Sequence, residues 1–139
     1  MSDAAEFVER FQAYWRAPTP RGLETVLAPQ TRLVAPLTAT TQTREEGIRA
    51  FAALFEVVEE MSAEVHRWGA TADGVLIEFT VTGKAGGKPI SWHAVDRFVV
   101  GADGLATERV SYFDSAPLAL TLARRPRSWP AFVRGRLRG

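Results

Sequence analysis

Asp96 is the one acid in the strand-like run Lys88 to Val100, and a carboxylate on the inner side of such a strand is well suited to take or give a proton. Side chains alternate across a strand. If Asp96 faces the interior, then Trp92, Ala94, Phe98 and Val100 do as well, while His93, Val95 and Arg97 face out. Arg109, on the next strand-like run, decides what Asp96 would do. Beside the carboxylate it keeps Asp96 ionised, a proton acceptor; turned toward a pocket mouth it leaves burial to favour the protonated form, an acid or hydrogen-bond donor. Both arrangements are open, and so is a plainer one in which the two only form an interior ion pair that orders the sheet. His66 lies two residues before Trp68, so an inward Trp68 implies an inward His66 and a candidate imidazole base, against the plainer role of a lone strand histidine with one hydrogen bond. Tyr14, Trp15, Trp92 and Tyr112 offer hydroxyl or indole donors to a ligand, or simply fill the core.

Other chemistries are excluded by composition. The chain has no cysteine and two histidines, which rules out thiolate catalysis, iron–sulfur and cysteine–zinc sites and argues against a histidine-rich metal site, so no metal is expected. Gly74, Gly83, Gly86, Gly87, Gly101 and Gly104 stand at turns or strand ends, and no phosphate-cradling pattern follows a strand and opens a helix. No cofactor is expected.

The elements that must position these groups read as two helices, a strand, a third helix and a four-stranded meander. Phe7, Phe11, Tyr14 and Trp15 form the stripe of a first helix ended by Pro18 and Pro20. A short helix over Arg21 to Leu27 is expected to stop at Pro29, and TRLVAPL alternates as a strand. Thr43 and Glu46 form a capping box, after which Ile48, Phe51, Phe55 and Val58 follow at helical spacing. Turn signals at Asp73-Gly74, Gly86-Gly87 and Asp103-Gly104 then divide strands at about 63–71, 75–84, 88–100 and 105–113. This α+β order suits one domain over 1–139, a curved antiparallel sheet wrapped around the helices as a cone with an apolar pocket. Asp114 is positioned to cap a helix beginning near Ala116 and Pro117, which opens a basic tail over about 116–139.

The order of elements, with VDRF at 95–98, the DG turn after it and the strand ending Tyr112-Phe113-Asp114, resembles the nuclear-transport-factor-2-like superfamily, and within it the SnoaL-like proteins. These include polyketide cyclases, limonene-type epoxide hydrolases and ketosteroid isomerases. Aligned with ketosteroid isomerase, the general-base position falls on Ala35 and the oxyanion tyrosine on Phe11. The third catalytic position, an aspartic acid that donates to an enolate, falls on Asp96 and implies that it points into the pocket. The catalytic positions of the epoxide hydrolases fall on Phe79, Val81 and Ser111, which argues against that activity in its familiar form. The resemblance implies an inner face carrying Ile77, Phe79, Val81, Arg109, Ser111 and Phe113. The expected catalytic set is therefore Asp96, Arg109 and His66. The expected ligand wall is Tyr14, Trp15, Phe51, Phe55, Trp68, Phe79, Val81, Trp92, Phe98, Ser111 and Phe113.

These residues suit either an enzyme acting on a small apolar carbonyl compound by acid/base catalysis or a binding module that keeps the fold without the chemistry. The formal net charge of +1 gives no reason to expect nucleic acid. No apolar run spans a bilayer and the N-terminus is acidic and amphipathic, so a cytoplasmic location is expected. Members of the superfamily often pair through the outer face of the sheet, which implies a homodimer using His93, Val95, Arg97, Val99 and Val110. The arginine-rich tail, with Trp129, Phe132, Val133 and Leu137 at helical spacing, is expected to close the open end of the cone rather than touch a membrane.

Overall fold

The apolar stripe of the first segment does form helix α1, Asp3–Arg16, which buries Phe7, Val8, Phe11, Tyr14 and Trp15 on one side. The structure is a computed structural model that describes residues 3–124, so the apolar stripe and the arginines of the tail from 125 onward lie outside the described residues. A 3₁₀ turn at Arg21–Thr25 leads into β1, Leu27–Val34, and a three-residue strand β2, Thr41–Thr43, into α2, Arg44–Val57. The meander follows as β3, Glu59–Ala70; β4, Gly74–Ala85; β5, Lys88–Val100; and β6, Ala106–Phe113, before α3, Ala116–Ala123. Thr43 accepts from the Glu46 backbone N–H at 3.2 Å, while the Glu46 carboxylate accepts from the N–H of Gln42. Asp114 accepts from the N–H of Ala116 at 3.0 Å, as a helix cap does.

The six strands form one curved sheet in the order β2-β1-β6-β5-β4-β3. It is mixed rather than wholly antiparallel, because β1 runs parallel to β6. The two are far apart in sequence, and α2 and the meander between them bring the chain back to lie alongside in the same direction. The expected stop at Pro29 is also corrected: Pro29 sits inside β1. Its ladder is irregular there, between Gln30 and Leu33 on the β2 side and between Leu27 and Arg32 on the β6 side. Proline lacks the N–H a regular ladder requires, and it is tolerated where pairing lapses.

α1 and α2 pack on one face of this sheet. The inner face of β4 presents Val75, Ile77, Phe79 and Val81, each no more than 1% exposed, and that of β5 presents Trp92, Ala94, Asp96 and Phe98. Phe11 lies edge-on to both Phe79 and Phe98, at 5.1 and 5.7 Å between centroids, so the first helix is fastened to the centre of the sheet through aromatic rings.

A bulge in β3 changes the expected facing of two residues. Val65 opposes Phe79 and Arg67 opposes Glu78, so His66 is the extra residue of the bulge. Parity is reset across it. Ala63 and Val65 share the inner face before the bulge and Trp68, opposite Ile77, takes that face after it. His66 is thus turned outward, and an inward Trp68 no longer brings His66 with it.

Candidate functional site

Between α1, α2 and the inner face of the sheet lies a cavity of about 130 Å³. Its wall is mostly apolar, formed by rings from the first helix, Phe51 of α2 and the central strands, with Leu118 of α3 at one side. Tyr14, Trp15, Phe51, Phe79, Val81, Trp92, Phe98 and Phe113 all border it, together with Asp96, Arg109 and Ser111. Three residues of the expected site do not. Phe55 packs against Phe51 at 5.2 Å, one turn away from the wall. Trp68, near the end of β3, is 42% exposed.

His66 lies on the opposite side of the sheet. Its Nε2 is 2.6 Å from the Thr80 hydroxyl, which is in turn 2.7 Å from Nδ1 of His93. The Thr80 hydroxyl has one proton to donate and an oxygen that accepts, so it can serve both rings at once. This array is exposed and separate from the cavity, so His66 leaves the candidate set.

The polar part of the cavity is built by register. Asp96 directly opposes Ser111 across the β5–β6 ladder, and Arg109, two residues before Ser111, shares its face. From that diagonal position Arg109 Nε donates to Asp96 Oδ2 at 2.8 Å. Of the arrangements open in the sequence, this is the paired one, shared by the ionised proton acceptor and by the plainer ion pair that only orders the sheet. The carboxylate is 1% exposed while the Arg109 side chain is 21% exposed, so the pair runs from the interior toward solvent. Asp96 Oδ1 and Ser111 Oγ are both buried without a hydrogen-bond partner, and so is Thr41 Oγ1, which also borders the cavity. An orphaned buried polar atom costs on the order of 1–3 kcal/mol, so three around one cavity need a reason. The Tyr14 hydroxyl has no proton to offer a ligand, since it donates to the Thr19 carbonyl at 2.8 Å. Burial pushes its phenol well above the ordinary tyrosine range, with the positive charge of Arg109 opposing the shift.

Thr41 escaped sequence reasoning because a three-residue strand is too short to show alternation. Leu37, also at the cavity, has a left-handed backbone at φ 69°, a conformation the PLT segment does not advertise. By contrast Ala35, Phe11, Phe79, Val81 and Ser111, which the sequence resemblance singled out, all border this one cavity. Among the described residues no three histidine, aspartate or glutamate side chains gather to hold a metal ion. No helix among them is long and apolar enough to cross a membrane.

The family model for the SnoaL-like domain matches residues 8–109. No curated protein matches the chain. Among solved structures, a protein of ketosteroid isomerase-like fold from Catenulispora acidiphila, in complex with trimethylamine, is 22% identical. That match covers 84% of this chain and 92% of the other, with a TM-score of 0.73. A SnoaL-like protein from Jannaschia sp. CCS1, proposed to be a polyketide cyclase, is 20% identical over 87% and 90% of the two chains, with a TM-score of 0.70. An epoxide hydrolase of the LEH-like kind from M. tuberculosis is 21% identical over 94% and 90%, at 0.69. At these identities the likeness establishes the fold, and the chemistry has to be argued from the cavity itself.

Proposed function

The chain belongs to the SnoaL-like domain family, and on that premise we propose that its cavity binds a small, largely apolar molecule on which Asp96 acts as an acid/base catalyst. One observation carries the reading: Asp96 is buried, one oxygen bonded to Arg109 and the other unpartnered beside a cavity. The ion pair supports a role as proton acceptor, with Arg109 holding the carboxylate in one rotamer and balancing its charge. A carboxylate base placed in this way contributes roughly 10²–10⁴ in rate. Cyclisation, isomerisation or hydrolysis of an apolar carbonyl compound each needs such a group, and the neighbouring folds named above span those classes. No metal or nucleotide enters the proposal. The test is a panel of small aromatic ketones, polyketide fragments and terpenoid epoxides, with product analysis on wild type and on Asp96→Asn. Turnover that falls at least 100-fold in the variant supports an enzyme centred on Asp96; turnover unchanged by it rejects that centre.

A second reading is supported by Ala35 and Phe11, which stand where ketosteroid isomerases carry their base and tyrosine. A cavity without those groups suits a binding module, and ligand binding without turnover across the panel would favour it. For quaternary structure, we propose pairing of two copies through the outer face of the sheet, where Leu76 and Tyr112 are 40% and 56% exposed beside Val95 and Val110. Light scattering on wild type and Tyr112→Asp checks this: a dimer weakened by the substitution supports it, and a wild-type monomer rejects it.

A further inference from the structure

We infer that the cavity takes a neutral hydroxyl compound of about one ring in size, whose O–H donates to the free oxygen of Asp96 and whose oxygen accepts from Ser111. The inference rests on the small-molecule reading above, but it makes a hydroxyl rather than a carbonyl the group that meets Asp96, and it adds the size of the ligand.

The hydrogen-bonding capacity at this end of the cavity can be counted. The Tyr14 hydroxyl is committed to Thr19, and Asp96 Oδ2 to Arg109. The buried atoms left without a partner are Asp96 Oδ1 and Ser111 Oγ, on residues 1% and 4% exposed that oppose each other across one ladder, with Thr41 Oγ1 a third on the cavity wall. A carboxylate oxygen in an ion pair only accepts, whereas a serine hydroxyl both donates and accepts. A ligand hydroxyl satisfies the two together, giving its proton to Oδ1 and receiving that of Ser111. A ketone, which only accepts, would engage Ser111 and leave Oδ1 unpaired. A hydrocarbon would leave both. This polarity is the reverse of an aspartic acid that donates to an enolate, and the Arg109 contact is what reverses it.

Charge and size narrow the class. The Asp96–Arg109 pair is neutral as a unit, so a charged ligand would lose its hydration with no free counter-charge to meet it. The cavity, at about 130 Å³, is close to the roughly 150 Å³ that accommodates benzene in an apolar protein interior. Phe79, Phe98 and Trp92 supply flat apolar walls around the two polar atoms.

Calorimetric titration with matched probes tests this: phenol, anisole and toluene as one set, cyclohexanol and cyclohexanone as the other, each on wild type, Ser111→Ala and Asp96→Asn. The expected result is that phenol binds at least about tenfold more tightly than anisole or toluene, and cyclohexanol likewise over cyclohexanone, since a site built for a hydroxyl discriminates against analogues lacking it. Ser111→Ala, which leaves the ion pair in place and so covers the case where Asp96→Asn does not fold, should narrow the gap to threefold or less and leave toluene unchanged. Cyclohexanone binding as well as or better than cyclohexanol would overturn the polarity while leaving a small-molecule site. Binding only of larger carbonyl compounds would overturn the size. Binding of no ring compound at all would overturn both this inference and the reading on which it rests.

Discussion

Asp96 is tied to stability as well as to chemistry, and the two can be separated. Removing one partner of a buried ion pair costs about 3–5 kcal/mol when the other is left uncompensated. Arg109 keeps some contact with solvent, so Asp96→Ala should destabilise the fold by about 3 kcal/mol in chemical denaturation, at the lower end of that range. Asp96→Asn retains an oxygen for Arg109 and should lose less stability than activity. Tyr14 yields a prediction in pH. Its phenol is held protonated in the folded state by burial, so the folded chain binds that proton more tightly than the unfolded chain. The resulting stability is complete below the ordinary tyrosine value of 10.0 and is lost as pH rises beyond it, at about 1.4 kcal/mol per pH unit. Alkaline denaturation of wild type should therefore be steeper above pH 10 than that of Tyr14→Phe, which at neutral pH loses only the bond to Thr19, about 1 kcal/mol. Equal slopes would show that the phenol is not shielded. At this scale the sequence pointed to Asp96 and Arg109 through the resemblance to ketosteroid isomerase together with the alternation of side chains along a strand. It did not disclose that one carboxylate oxygen would be left free, which depends on the diagonal reach of a side chain.

At the scale of elements, turn chemistry was the most legible signal. Gly86, Gly87 and Gly104 adopt φ of 61°, 77° and 82°, which is why glycine marks those turns and why the last two strands of the meander were bounded within a residue. Gly74 is held by space instead. A β-carbon there would stand 1.8 Å from the Phe98 carbonyl oxygen, a backbone atom that cannot swing aside. Gly74→Ala should therefore cost about 3 kcal/mol, near the upper end for overpacking, and displace the β5 segment that carries Phe98 into the cavity wall. Thr43→Ala removes the cap of α2 and should cost about 1 kcal/mol. What stayed illegible at this scale is a single inserted residue. A one-residue bulge in β3 leaves composition and spacing untouched, yet it turns His66 outward and changes which side of the sheet carries an imidazole. The parallel β1–β6 contact was hidden for another reason, since alternation within a strand says nothing about its neighbour.

For the molecule as a whole, the question is why a chain with this many large apolar residues leaves a cavity at their meeting point. Interiors pack to the density of organic crystals, and a closed, dry void of this volume would forgo up to about 3 kcal/mol at roughly 24 cal/mol per Å³. Ala94 marks the place where filling was available. It lies on the inner face of β5 between Trp92 and Asp96, 3% exposed, and a larger side chain there would project into the cavity. Burying the added methyl groups should outweigh local strain, so Ala94→Val is expected to gain about 1 kcal/mol in chemical denaturation. The same substitution should weaken binding of one-ring ligands at least about tenfold, the trade of stability against function expected where a void is kept for an occupant. Measuring both on one preparation separates the alternatives. A gain in stability with binding lost identifies the cavity as the place where the ligand sits. A loss of stability with binding intact would mean that Ala94 is small because the core requires it, and that the ligand is held elsewhere.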